Sequence, residues 1–196
     1  MKLSRKQKLA ILVLIIVRIT SPFLILKYPL WGILSCFGID WLDFGYYLIF
    51  NIRVDRHEKF YHKIDKFLDH YYFTFIFIYF LNNTNNIILY TASLLFFYRI
   101  TGYLMYIQTD KRKYFFIFQN FFENYAVITL LLERFSIIIN LKTTIISLII
   151  SIMLKVPQEA YLHFNKKGYK DRDIVFKCVN SIRGIFHLAP LTSSSN

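Results

Sequence analysis

The chain has 196 residues, 56% of them hydrophobic and 19% aromatic, and a formal net charge of +12. A soluble domain carries roughly 45–50% apolar residues, and the excess here is gathered into runs of about 20 residues, the length of a membrane-crossing helix. This excludes an ordinary soluble protein and leaves no soluble domain for the nucleic-acid binding that a basic chain otherwise suggests. The two cysteines, Cys36 and Cys178, stand in unlike contexts, and the five histidines lack metal-ligand spacing, so neither a disulfide framework nor a zinc site is supported.

In chain order, a basic start (Lys2, Arg5, Lys6, Lys8) leads into an apolar run that Arg18 and Pro22 interrupt. No small-residue cleavage site follows, so residues 9–28 read as a retained first membrane helix. Five further spans follow by length, at 30–50, 62–81, 87–108, 114–133 and 136–155. The connections at Tyr28-Pro29 and at Asn82–Asn86 are short, and Lys142 can snorkel from the last span to the interface. The expected fold is all-α: a six-helix membrane bundle over residues 1–155, followed by a basic tail, 156–196, that either lies on an anionic inner leaflet or is an ordinary positive flank of the last helix. Asn82-Asn83-Thr84 matches the glycosylation pattern, but its loop is too short to leave the membrane surface.

Charge placement tests the span count. With the N-terminus cytoplasmic, nineteen of the twenty-four Lys and Arg fall on inside segments. Only Lys27, Arg134 and Lys142 fall outside, and Arg18 and Arg99 lie within spans. The positive-inside rule therefore places both termini in the cytoplasm.

Acidic residues inside apolar helices are costly and point to function. Asp40 and Asp43 are three apart at the end of the second span, and Asp65 and Asp69 are four apart at the start of the third. Each pair shares one helical face. The basic hinge between the spans, with Arg53 and Arg56, turns the helices so that four acids converge near the cytoplasmic surface. Four like charges repel unless cations sit between them. Arg53, Arg56, Lys63, Lys66 or a bound metal can fill that need, and an oxygen-only cluster suits a hard divalent ion. Such an ion would hold a phosphate while a spare carboxylate deprotonates an attacking hydroxyl. Span four adds Arg99, and span five adds Asn120, Glu123 and Asn124. An Arg99–Glu123 ion pair between helices is the plain structural expectation for those two residues.

With these residues in place, the chain resembles the CDP-alcohol phosphatidyltransferase family. That family's signature is Asp-x-x-Asp-Gly-x-x-Ala-Arg, eight residues, then Gly-x-x-x-Asp-x-x-x-Asp, often after a first helix of the type Leu-x-x-x-Arg-x-x-x-Pro. Leu14, Arg18 and Pro22 are similar to the first helix, Asp40-Trp41-Leu42-Asp43 to the opening acids, and Ile64-Asp65-Lys66 to an Ala-Asp-Lys that members often carry at the last signature aspartate. The likeness covers about residues 9 to 80. It departs at Phe44, which stands for the signature glycine, and at Tyr47 and Leu48, which stand for Ala-Arg. Without a gap Asp65 falls on the fourth signature aspartate. With four extra hinge residues, Asp65 and Asp69 become the third and fourth, which uses all four acids.

The resemblance implies transfer of a substituted phosphate from a CDP-linked donor to an alcohol acceptor in the bilayer, with release of CMP. It implies a divalent cofactor, Mg or Mn, on Asp40, Asp43 and Asp65. Asp69 would be the base, with Arg53, Arg56 and Lys66 toward the phosphates. Dimers are common in that family, so a homodimer is one possible assembly. The lost glycine and Ala-Arg support an alternative, an inactive member serving as a lipid-binding or scaffold protein. A small transporter or channel is a third reading; the acids suit it, but the sequence offers neither broken helix pairs nor an internal repeat.

Overall fold

The structure, a computed structural model, describes residues 4–49, 59–111 and 113–164, and the side chains of these except 41, 43–49, 59–62 and 158–164. Its described residues are helical throughout, apart from short turns: α1 (Arg5–Thr20), α2 (Phe23–Lys27), α3 (Pro29–Ile49), α4 (Lys59–Asn83), α5 (Asn86–Thr109), α6 (Lys113–Ile117), α7 (Phe121–Arg134) and α8 (Leu141–Phe164). Arg53, Arg56 and the hinge around them lie outside the described residues, as does most of the C-terminal tail.

The helix boundaries have local causes. Ser4 caps α1 reciprocally with Gln7: the Ser4 hydroxyl accepts from the Gln7 amide at 3.2 Å, and the Gln7 side chain accepts from the Ser4 amide at 2.9 Å. Pro22, which lacks an N–H, separates α1 from α2, so the first expected span is one rod broken near its end. Asn85 caps α5 by accepting from the Ile88 amide at 3.0 Å. The fifth expected span is broken as well, at Phe118–Asn120, where the Asn120 side chain accepts from the Glu123 amide at 3.4 Å and starts α7. Asn140 and Thr143 cap one another, so α8 begins at Leu141, later than the 136 read from hydropathy, and runs on through Pro157.

Among the described residues, three helical stretches are long and apolar enough to cross a membrane: Arg5–Lys27, Asn86–Thr109 and Lys113–Arg134. Each joins or equals one of the expected spans. Large apolar side chains, including Trp31, Leu94, Phe135 and Ile138, point out of the bundle.

The core lies between α2, α3, α4, α5 and α7. It is built from Ile25, Ile33, Phe73, Ile76, Phe80, Phe96, Phe122 and Tyr125, all buried. Two glycines allow close approach. A Cβ on Gly32 would lie 2.5 Å from the Ile25 backbone nitrogen, so the α2–α3 hairpin closes only over glycine. A Cβ on Gly102 would meet the Phe118 Cβ at 2.3 Å, which ties α5 to the break before α7.

Candidate acid cluster and its counter-ions

The site begins with three helices that each carry charge into the bundle. α1 packs on α3 and α4, and α3 packs on α4. Asp40 lies near the midpoint of α3, and Asp65 and Asp69 lie one turn apart in the first half of α4. Their side chains converge: Asp40, Asp65 and Asp69 each offer a carboxylate oxygen within 4.8 Å of the others. Asp69 is buried, whereas the Asp40 side chain is 43% exposed. The spacing rule that placed Asp65 and Asp69 on one face holds. Asp43 belongs to α3, but its side chain lies outside the described residues.

Arg18 of α1 sits among these acids. Its Nη2 donates to Asp40 Oδ1 at 2.7 Å and to Asp69 Oδ1 at 2.8 Å, and its Nη1 donates to Asp65 Oδ1 at 2.7 Å. The planar guanidinium suits this work because its fork of donors is fixed and permanently charged. Lys66 closes the other side, 2.6 Å from Asp69 Oδ2 and 3.1 Å from Asp65 Oδ2. Both oxygens of Asp65 and of Asp69 therefore meet a cation. Sequence reasoning assigned the counter-charge to the hinge arginines, Lys63 and Lys66, or metal, and missed Arg18. The signal was present in an arginine facing inward from an otherwise apolar helix. Lys63 turns elsewhere and pairs with Asp110 after α5 at 2.9 Å.

The donor set fits a divalent ion in kind, since three carboxylates are hard oxygen ligands. Arg18 and Lys66 bond to the same oxygens, so an ion would enter by exchange with a cation of the chain itself.

A second buried polar group lies one turn further along α4. Glu123 of α7 accepts from the Tyr72 hydroxyl, and its other oxygen accepts from the Asn120 side chain at 2.8 Å. Arg99 of α5 donates to the Phe118 carbonyl at 2.6 Å and lies over the Phe115 ring. The sequence suggested that Arg99 and Glu123 pair with each other. The broken helix supplies both with other partners, a freed carbonyl for the arginine and the cap residue Asn120 for the acid. His70, next to Asp69, points Nδ1 at the Lys66 carbonyl at 2.6 Å, which only a protonated nitrogen can bond, and stacks on Tyr103.

No protein-family model, curated protein or solved structure matches this chain.

Proposed function

We propose that the chain is a six-span membrane phosphotransferase resembling the CDP-alcohol phosphatidyltransferases, with both termini cytoplasmic. The observation that carries this reading is the convergence of Asp40, Asp65 and Asp69 from two helices that also bear the matching part of the signature. Asp40, Asp43 and Asp65 would hold Mg or Mn, which when bound supplies positive charge against the donor's pyrophosphate. Arg53 and Arg56 would bind and orient that pyrophosphate in place of the missing signature arginine. Asp69 would take the proton of the acceptor hydroxyl once Arg18 or Lys66 releases one of its oxygens. The three apolar stretches and the outward aliphatic faces support a membrane setting, and the split of basic residues supports the sidedness. The test is release of CMP from a CDP-linked lipid or polyol when the purified protein, Mn²⁺ and an alcohol acceptor are combined. No release from any such donor, together with no retained metal, would end the reading.

One observation favours a second reading. Arg18 and Lys66 already compensate the cluster, as expected of a family-like scaffold that has given up catalysis and keeps its acids as interhelical ties. The departures Phe44, Tyr47 and Leu48 agree with that. The CMP assay separates the two.

A further inference from the structure

α1 is joined to the bundle in an unusual way. Its buried residues are Ala10, Leu14 and Arg18, a single stripe at i, i+4 and i+8, while Leu9, Leu12, Val13, Ile16, Val17 and Ile19 are exposed. In a bilayer that apolar stripe is a weak tie. Lipid tails are as apolar as leucine, so helices gain little by hiding a leucine from them. The ion pairs are different, because without Arg18 the three acids at membrane depth share Lys66 alone, and Asp40 keeps no cation among the described residues. The far end of the helix is jointed. Pro22 removes a backbone donor after Ser21, where α1 gives way to α2 with both residues still at right-handed helical angles, and α2 beyond it is fixed, with Ile25 fully buried against the close approach at Gly32.

We propose that α1 is a latched lateral gate: it pivots at Ser21–Pro22 and is held shut by Arg18 on Asp40, Asp65 and Asp69. With the latch closed, Asp65 and Asp69 are shielded beside α1, and Asp40 stays partly exposed. With it open, the three carboxylates face the bilayer, and an amphipathic molecule can reach them sideways without crossing the packed core. The latch goes beyond the functional reading and does not depend on it, because a scaffold would carry the same device.

The experiment reads the position of α1 directly. Ala10, buried two turns before Arg18 and far from the pivot, is replaced by cysteine in a chain carrying Cys36→Ala and Cys178→Ala, reconstituted in phosphatidylcholine vesicles. Alkylation by a membrane-permeant maleimide reports opening. With Arg18 present the thiol reacts slowly, and Arg18→Gln accelerates it at least about tenfold, as expected when a local opening equilibrium loses its main closing interaction. Leu14→Ala, which trims packing and leaves the charges, changes the rate by no more than about twofold. An Arg18→Gln protein that is monodisperse and reacts at the parent rate overturns the latch. A Leu14→Ala rate as high as that of Arg18→Gln overturns it too. If Arg18→Gln does not fold, Arg18→Lys and Asp69→Asn take its place. Each loses part of the ion-pair set and should give an intermediate rise, and no rise in either overturns the proposal.

Discussion

Arg18 and Asp69 are 51 residues apart in sequence, yet the guanidinium of one meets the carboxylate of the other at 2.8 Å, with both side chains about nine-tenths buried. Pairs of this kind are asymmetric in energy. Removing one partner leaves an uncompensated buried charge and costs about 3–5 kcal/mol, even where the intact pair adds little to stability. We predict that Arg18→Gln lowers the unfolding free energy by up to about that amount, since Lys66 still faces one oxygen each of Asp65 and Asp69. Asp40→Asn should cost less, because that side chain is 43% exposed and water screens it. Thermal unfolding in detergent checks both, and equal losses would contradict the burial difference.

How much of this was legible in the sequence follows the physics of each feature. The all-helical character and the helix positions were, because long apolar runs with few glycines and prolines leave the backbone little choice. Pro22 stood in plain view, yet the run 9–28 read as one helix and the first break was not expected. The second, at Phe118–Asn120, was hidden, since hydropathy averages over a local cap. The shared face of Asp65 and Asp69 followed from helical spacing. Arg18 as their counter-ion did not, because helix periodicity gives the face of a residue and says nothing about which distant helix packs against it. The same blindness explains Glu123, whose partners Tyr72 and Asn120 became visible only once α4 and α7 were placed.

The glycines offer a controlled comparison. Gly32→Ala must push the new Cβ into backbone of α2, and Gly102→Ala must push it into Phe118 at the root of its side chain. Neither obstacle is a flexible side-chain end. Overpacking of this kind costs about 1–3 kcal/mol. Gly38, also in α3, has open space where a methyl group would stand, with nothing within 4 Å, so Gly38→Ala should be neutral or stabilising by up to about 1 kcal/mol from helix propensity. Melting temperatures of the three variants would rank Gly38→Ala above wild type or level with it, and the other two below.

Tyr72 and Glu123 should behave as one unit. Tyr72→Phe strands a buried acceptor and costs about 1–3 kcal/mol. Once Glu123 is replaced by leucine that acceptor is gone, so the same tyrosine change should cost far less. A double-mutant cycle would then show a coupling of about 0.5–3 kcal/mol. Additive losses would mean that the hydroxyl and the carboxylate act independently.

α8 meets the bundle through hydroxyls. Ser147 and Ser151 are fully buried or nearly so, and each bonds a carbonyl of its own helix one turn back, at 2.9 and 2.7 Å. Their polarity is therefore satisfied locally, and small size is what they contribute to the α7–α8 contact. Ser147→Ala and Ser151→Ala should be tolerated, whereas Ser147→Leu and Ser151→Leu should separate the helices and lower the yield of folded protein. Size-exclusion profiles of the four variants test this.

The last prediction concerns the two acids of α4, whose roles the cluster makes comparable and the chemistry makes distinct. Asp65 and Asp69 face the same way, one turn apart, and both bond Arg18 and Lys66. If the phosphotransferase reading is right and Asp69 is the base, Asp69→Asn should remove CMP release by a factor of about 10²–10⁴ while donor binding persists, since an amide cannot take the hydroxyl proton. Asp65→Asn should instead weaken divalent and donor binding together, because a ligand and its charge are lost. If Asp65 is the fourth signature acid, these outcomes exchange, and Asp69→Asn leaves turnover largely intact. Single-turnover CMP release and equilibrium donor binding, measured on both variants at saturating Mn²⁺, separate the two assignments. Equal behaviour of the variants in both measurements would remove the base from this pair and return the cluster to a purely structural role.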